Sequence, residues 1–383
     1  MNPFLQAAPW IAFPLLVPIL LRRRPRLRDC PSATGELPRV SIILPARNEA
    51  INIGPCVGTL LATSYPNREI IIVDDGSTDG TGELARALAE RAPHDVRVVQ
   101  TQPLPPDWIG KSWACWTGFR EARGELLLFT DADTRHEPTL LTRAVGALQH
   151  ANASLLSLLP RQQLVTFWER LVLPQVFLGI SMRYANAGRV NRTRNPRHVL
   201  ANGQFLLLKR STYERIDGHH AVRAEVVEDV ALAQRTVSIG EPILLLHAAE
   251  FMQTRMYRSL REIVEGWSKN LALGARMAFP PRVGQLVPWL VIVLLLGLWL
   301  TPPVLLLGSF FYGALAPLRL WALTATTASL AGWIYVHLHM RSSLGPALLF
   351  PLGTLVTCFI LGRSAWRGRR VEWRGRRYDV PAI

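Results

Sequence analysis

The sequence predicts an α/β domain with a doubly wound sheet, flanked by apolar segments at both ends of the chain. Short apolar runs alternate with helical segments from Val40 onward, which is typical of a parallel sheet with helices on both faces. Acidic residues directly follow two of these runs. Long apolar stretches occupy Pro3 to Leu21 and much of the chain beyond Leu286.

The composition indicates a membrane-associated protein. Of the 383 residues, 49% are hydrophobic, the mean hydropathy is +0.16, and the apolar excess lies at the two ends. The net charge of +15 comes from arginines beside apolar segments, a pattern that favours an anionic membrane surface over nucleic acid. The four cysteines have neither CxxC nor zinc-type spacing, so we expect reduced thiols and no structural metal.

Residues 1–24 are predicted to form a membrane anchor that is retained. Pro3 to Leu21 has about the length needed to span a bilayer, and Arg22-Arg23-Arg24-Pro25-Arg26 follows at once. A signal peptide has the opposite order, with its basic residues before the apolar core. By the positive-inside rule the following domain faces the cytoplasm, at the inner membrane of the cell.

Residues 38–280 are expected to form the globular domain. The predicted strands are Val40 to Pro45, Glu69 to Val73, Val96 to Val99, Leu126 to Phe129 and Asn202 to Leu208. The predicted helices run from about Ile51 to Thr63, Thr81 to Arg91 and Lys111 to Ala122. Pro174 is expected to interrupt the amphipathic segment from Phe167 to Tyr184.

Asp131 and Asp133 come directly after the strand that begins at Leu126. Their spacing places both carboxylates on one side of an extended chain. They lie at the carboxyl end of the strand, where open α/β sheets bind ligands. Two such oxygen ligands suit a Mg²⁺ or Mn²⁺ ion that is shared with phosphate oxygens.

Asp74 and Asp75 follow a second strand at the same edge of the sheet. Asp75 can accept a hydrogen bond from a base N–H or a ribose hydroxyl. The alternative is that the acidic segment from Asp74 to Asp79 only caps the next helix.

Lys111 lies in the sequence Gly110-Lys111-Ser112. A phosphate-binding P-loop would need glycine where this chain has Pro105, so we reject that motif. Two interpretations of Lys111 remain open: a point charge beside a diphosphate, or a solvated surface lysine.

Two later segments also carry charge. Glu228 and Asp229 open a predicted helix, where acids commonly stabilise the helix dipole. The segment from Gln253 to Lys269 is basic and includes Arg255 and Trp267, and it suits either a diphosphate or lipid headgroups.

The carboxyl-terminal region, residues 284–363, is predicted to be membrane-embedded, followed by a basic cytoplasmic tail over 364–383. Its apolar stretches are Leu286 to Leu307, Leu318 to Leu338 and Leu344 to Gly362. Three spans would leave the arginine-rich tail outside, against the charge bias. Either Thr301-Pro302-Pro303 divides the first stretch into a hairpin, or one stretch is re-entrant.

Taken in order, these motifs resemble the family 2 glycosyltransferases, which have the GT-A fold with a mixed sheet. The resemblance rests on Pro45-Ala46-Arg47-Asn48-Glu49, Asp74-Asp75-Gly76-Ser77-Thr78-Asp79, Lys111, Asp131-Ala132-Asp133 and Glu228-Asp229. The segment from Pro103 to Ala114 is similar to membrane enzymes associated with hopanoid and carotenoid glycosylation. The closing Trp373-Arg374-Gly375-Arg376-Arg377-Tyr378 is similar to ceramide glucosyltransferase-like enzymes.

The resemblance implies a nucleotide-sugar donor, usually a UDP-sugar, and a divalent metal. The residues that it implies for the donor are Pro45, Ala46, Glu49, Asp74, Asp75, Lys111, Asp131, Arg255 and Trp267. Asp131 and Asp133 would hold the metal, and Asp229, with Glu228 beside it, would be the catalytic base.

The acceptor is expected to be a membrane lipid hydroxyl, because apolar segments flank the domain on both sides. Processive relatives carry Gln-x-x-Arg-Trp, which this chain lacks around Arg255, so transfer of a single sugar is expected. Two alternatives stay open: a polyprenyl phosphate acceptor, and a non-catalytic protein that has kept the fold.

Overall fold

The computed structural model describes residues 2–22, 24–184, 187–367, 370–373 and 376–379. The other residues of the predicted anchor and tail lie outside this part of the chain. The strands are β1 Val40–Ala46, β2 Arg68–Asp74, β3 Val96–Gln100, β4 Leu126–Thr130, β5 Thr134–His136, β6 Leu155–Leu159, β7 Arg161–Gln162, β8 Phe205–Lys209, β9 Ile243–His247, β10 Met252–Thr254, β11 Arg370–Trp373 and β12 Arg376–Asp379.

Helices separate most of these strands and continue beyond them. They are α1 Pro3–Gln6, α2 Ala8–Arg22, α3 Ile53–Leu61, α4 Thr81–Arg91, α5 Gly110–Glu121, α6 Leu140–His150, α7 Phe167–Arg183, α8 Ala187–Val190, α9 Arg210–Arg215, α10 Gly218–Ala221, α11 Glu228–Ser238, α12 Leu260–Ala278, α13 Pro281–Leu295, α14 Thr301–Phe311, α15 Arg319–His339, α16 Gly345–Leu348 and α17 Phe350–Arg367.

The main sheet has seven strands in the order β3-β2-β1-β4-β8-β6-β9. Strands β1 to β4 are parallel, whereas β8 runs antiparallel to both β4 and β6. This arrangement confirms the predicted α/β class with a mixed sheet. Because β1, β2 and β4 are parallel neighbours, the loops that follow them meet at one edge.

The central strands are apolar at almost every position because both faces of the sheet are covered. Ile42 and Ile70 pack into the core on one face, and their neighbours Ile43 and Ile71 pack into the core on the other. Successive side chains of a strand point to opposite faces, so a strand buried on both sides needs an apolar run. All four of these side chains are almost completely buried.

Two local predictions differ from the structure. Strand β8 begins at Phe205 rather than at Asn202, because the preceding residues form a turn in which the Phe205 N–H donates to the Asn202 carbonyl. Helix α7 continues through Pro174, where a break was expected. Pro174 is buried, and the apolar surface that it removes from water offsets part of the cost of the lost backbone hydrogen bond.

Helices α13 and α14 are joined by the π-helical segment Leu296–Leu300. Together they form one continuous helix, Pro281–Phe311, the one among the described residues that is long and apolar enough to cross a membrane. Its 31 residues correspond to about 46 Å. It passes through Thr301 without a turn, so the hairpin considered at Thr301-Pro302-Pro303 is not formed. The apolar helix at the amino terminus, Ala8–Leu21, is shorter than the predicted anchor.

Helix α17 packs back against the globular domain. The Gln175 side chain on α7 donates to the Phe350 carbonyl, and the Ala272 N–H on α12 donates to Ser364 Oγ. Both contacts are buried. These contacts hold α17 against the globular domain, and the antiparallel hairpin β11–β12 follows α17 in the sequence.

Candidate active site

The loops after β1 and β2 are tied together and form one wall of the site. The Asn48 N–H donates to Ser77 Oγ at 3.1 Å and the Glu49 N–H to Thr81 Oγ1 at 2.8 Å. Asn48 adopts a positive φ of 54°, which asparagine tolerates better than most residues. The position of each loop therefore depends on the other.

The two predicted donor aspartates after β2 have different surroundings. Asp74 Oδ1 accepts from the Ser77 N–H at 3.0 Å and so holds the turn. Asp75 Oδ1 accepts from the Thr101 hydroxyl at 3.1 Å, and burial raises its pKa. Asp74 therefore holds the turn and does not cap α4; the acidic residue that accepts from the first N–H of that helix, at Thr81, is Asp79, at 3.1 Å.

The aspartates after β4 form a pair suited to a cation. Asp133 Oδ1 is buried and has no hydrogen-bond partner. Burial, followed by the charges of Asp131 and Glu49, raises the pKa of Asp133 to about 8. A divalent ion would relieve both the repulsion and the unpaired oxygen, so these residues fit Mg²⁺ or Mn²⁺. No cluster of three His, Cys, Asp or Glu residues is present in the described ranges, and donor oxygens and water would complete the coordination.

Lys111, near the start of α5, connects the two acidic groups of the site. Its Nζ lies 2.8 Å from Asp131 Oδ1 and 2.8 Å from Glu228 Oε1. Burial alone would lower the pKa of Lys111, but Asp131 and Glu228 together raise it well above its usual value. Lys111 is therefore a shared counter-ion, and the solvated-surface interpretation is wrong.

Glu228 and Asp229 open α11, and their surroundings shift their pKa values in opposite directions. Burial would raise the pKa of Glu228, but Lys111 holds it below the usual value. Asp229 Oδ2 accepts from the Gly203 N–H at 2.7 Å. Burial, followed by the charge of Glu228, raises the pKa of Asp229 to about 6. A carboxylate with such a pKa is well suited to accept a proton near neutral pH.

One cavity brings Asp131 close to Glu228 and Asp229. Its lining includes Pro45, Lys111, Asp131, Gly203, Glu228 and Asp229. The buried ring of His219 also lines this cavity, and sequence reasoning missed it because an isolated histidine carries no motif. Asp131, the first member of the candidate metal pair, and the candidate base thus border one cavity.

Other predicted donor residues lie outside the lining of this cavity. Ala46 ends β1 with its side chain in the core, and Glu49 follows in the loop. Arg255 forms a two-point ion pair with the fully buried Glu169, at 3.0 and 3.2 Å. The backbone N–H of Arg255 donates to the Asp133 carbonyl at 3.4 Å, so Arg255 still contacts the loop that follows β4.

Trp267 is likewise held away from the cavity. Its ring is buried in an apolar cluster beside Phe177 and Tyr257. These are packing contacts between apolar side chains. Trp267, a residue of α12, therefore lies in the core and not in the cavity.

The tail contributes two residues to the site that were expected at a membrane surface. Arg376 Nη1 lies 2.5 Å from Asp75 Oδ2. The Tyr378 hydroxyl accepts from the Gly110 N–H at 3.3 Å. The motif that contains them was visible in the sequence, but an arginine-rich segment has the same composition whether it pairs with lipid or with a carboxylate.

Comparison with known proteins identifies relatives of this chain in sequence and in fold. The model of glycosyl transferase family 2 matches residues 41–216. The 4,4'-diaponeurosporenoate glycosyltransferase of Staphylococcus aureus strain USA300 is 27% identical over 356 residues, covering 89% of this chain and 88% of the relative. The mannosyltransferase PcManGT from Pyrobaculum calidifontis, solved with GDP-Man and Mn²⁺, has a TM-score of 0.56 at 19% identity and covers 95% of this chain and 97% of that one.

The mixed sheet, with the aspartate pair at the end of β4, is that of the GT-A fold. Residues 41–216 match the model of glycosyl transferase family 2, so this part of the chain is similar to enzymes that transfer a sugar.

Proposed function

We propose that this enzyme transfers one sugar from a UDP-sugar to a hydroxyl group of a membrane lipid, with inversion and with a divalent metal. One observation carries the proposal. Asp131 of the metal pair and the candidate base Asp229 border one cavity, with Lys111 between the two acidic groups. A donor bound on one side and an acceptor on the other would meet there.

The donor is assigned to the loop after β2 and to the residues that follow β4. Asp75 is assigned to the nucleoside end of the donor, where its two oxygens also accept from Thr101 and Arg376, and Asp131 and Asp133 would hold the metal. A bound metal would supply positive charge that stabilises the diphosphate as it leaves. The neighbour PcManGT was solved with Mn²⁺ and a nucleotide sugar, GDP-Man, which supports this class of donor.

The base side is assigned to Asp229. Its carboxylate takes the proton of the acceptor hydroxyl as the oxygen attacks the anomeric carbon, while the bond from that carbon to the diphosphate breaks. Attack opposite the leaving group inverts the configuration at that carbon. The hydrogen bond from Gly203 fixes the carboxylate in position.

A lipid acceptor is supported by the apolar helices and by the relatives. The Pro281–Phe311 helix is long enough to span a bilayer, and Phe167 and Met182 leave apolar surface exposed on α7. The Staphylococcus relative is named for a carotenoid acid. We place the enzyme in the inner membrane, as a multi-pass protein with its catalytic domain in the cytoplasm, because arginines follow the first apolar segment.

The acceptor class is tested with detergent-purified protein and radiolabelled UDP-sugar. We expect label to enter a total lipid extract, at one sugar per lipid by mass spectrometry, and not to enter water-soluble sugars or glycerol. Heat-treated protein is the control. Transfer only to soluble acceptors, or several sugars on one lipid, would contradict the proposed acceptor.

The raised pKa of Asp229 predicts an acid limit to the reaction. A base must be deprotonated to act, so turnover should fall about tenfold for each pH unit below the pKa of about 6. The measurement is kcat as a function of pH, from about 5 to about 8. Thermal unfolding over the same range is the control, and a constant kcat across the acid limb would exclude Asp229 as the base.

A further inference from the structure

The hairpin β11–β12 reaches the nucleotide half of the donor site. Arg376 Nη1 contacts Asp75 Oδ2 at 2.5 Å, although 301 positions separate the two in the chain. The Asp75 side chain is 3% exposed and the Arg376 side chain 25%. This ion pair is thus largely closed to solvent, in contrast to the exposed pairs common on protein surfaces.

Two further contacts fix the hairpin at this place. Tyr378 packs against Ile109, Val226 and Leu273, while its hydroxyl accepts from the Gly110 N–H. A Cβ at Gly110 would lie 2.6 Å from Arg376 Nη1 and 2.7 Å from Asp75 Oδ2. The guanidinium and the Asp75 carboxylate therefore occupy space that a side chain at Gly110 would enter, and they would have to shift if one were present.

Charge indicates what Arg376 would bind. The site already holds Asp75, Asp131, Asp133 and Glu228, and a nucleoside diphosphate adds further negative charge. Lys111 is shared by two of these carboxylates. A second cation beside the start of α5 would offset the added charge, and the planar fork of arginine matches phosphate oxygens.

We propose that Arg376 is a donor-binding residue, and that β11–β12 is a strap across the donor site whose guanidinium binds the diphosphate of the nucleotide sugar. The inference rests on the proposed function, because it assumes a nucleotide-sugar donor. The ion pair with Asp75 holds the guanidinium at the nucleoside end of the site. Gly110, which the guanidinium approaches, is followed directly by Lys111 on α5, so the two cations flank the path from the nucleoside to the metal pair.

The test compares two probes on the full-length protein with Mn²⁺: UDP, and uridine without phosphates. Arg376→Gln should weaken UDP binding about 10- to 100-fold, the usual worth of a hydrogen bond to a charged group, and leave uridine binding unchanged or tighter. Arg376→Lys keeps the charge and should lie between wild type and Arg376→Gln. The matched control is Arg261→Gln, because Arg261 is 86% exposed on α12 and pairs with Glu265.

Each other result overturns the inference in a distinguishable way. Unchanged UDP affinity in both Arg376 variants would show that the strap does not touch the donor. Equal weakening for UDP and uridine would indicate a structural role, and tighter binding of both would indicate a strap that blocks Asp75. Wild-type protein that binds neither UDP nor GDP would overturn the proposed donor as well. Should Arg376→Gln unfold, Arg376→Lys alone decides between these results.

Discussion

Replacing Asp229 by asparagine is expected to lower turnover by roughly 10²–10⁴-fold and to leave UDP-sugar binding nearly unchanged. The substitution keeps the shape of the side chain and the acceptor oxygen for the Gly203 N–H, which lies 2.7 Å from Asp229 Oδ2. It removes the capacity to take a proton, and it places the amide NH2 where Asp229 Oδ1 accepts from the Val230 N–H at 2.8 Å. The loss should therefore appear in kcat, with little change in the affinity for the donor.

Glu83→Gln is the control for this experiment. Glu83 also lies in the first turn of a helix, but its side chain is 74% exposed and pairs with Arg86. Removing that charge should not change kcat. Both variants are to be compared at a pH of about 7.5, well above the pKa of about 6 that Asp229 has, where the wild-type base is ionised.

A near-normal rate in Asp229→Asn would contradict the proposed hydroxyl acceptor but not the fold. A phosphate or a carboxylate is already negatively charged and needs no base to attack the anomeric carbon. The result would therefore favour polyprenyl phosphate, or an acid like the one in the name of the Staphylococcus relative, over a neutral hydroxyl. The raised pKa of Asp229 favours a hydroxyl acceptor, because a pKa near neutral pH suits a group that accepts a proton during the reaction.

The sheet could be predicted from the sequence because its signals are local. Every residue of β4, which begins at Leu126, is buried, and its first four residues are apolar, as a strand covered on both faces requires. The carboxylates that follow it lie only a few residues away. Both the strand and the candidate metal pair are therefore contained in one short window of sequence.

The contacts of the charged residues could not be predicted in this way. Lys111 pairs with Glu228 and Arg376 with Asp75, and both pairs join distant parts of the chain. A charged residue looks the same in the sequence whether its partner is a carboxylate, a lipid headgroup or water. Its role is fixed only when the fold places that partner beside it.

The apolar composition alone likewise does not predict how many helices cross the membrane. Three carboxyl-terminal stretches were expected to be embedded, yet one helix, Pro281–Phe311, has both the length and the hydropathy to span among the described residues. Helix α17 instead packs along α7 and α12 through buried polar contacts. Burial within protein and burial within lipid select the same side chains.

Asp133→Asn is expected to abolish metal-dependent nucleotide binding without unfolding the protein. Asp133 Oδ1 is buried without a partner, and burial together with Asp131 and Glu49 raises the pKa of this carboxyl to about 8. Such a group destabilises the metal-free fold once pH exceeds its usual pKa of about 4, and the penalty grows until pH passes about 8. A neutral amide removes that penalty.

The same substitution should therefore change stability and binding in opposite directions. In the presence of a chelator at a pH of about 8, Asp133→Asn should leave the melting temperature unchanged or raised. Asp131→Asn should lower it, because Asp131 pairs with Lys111 at 2.8 Å. Both variants should lose the gain in UDP affinity that Mn²⁺ gives the wild type. Asp95→Asn, at a half-exposed acid that pairs with Arg68, should keep that gain.

The measurement is a UDP titration by calorimetry with and without Mn²⁺, beside thermal unfolding of the same samples. A variant at Asp133 that keeps the metal-dependent gain would show that the aspartate pair is not the metal site. A lowered melting temperature together with lost binding would indicate instead that Asp133 supports the fold. Since a structural carboxylate and a metal ligand predict opposite signs for the stability change, the two roles are separated even if activity is lost in both cases.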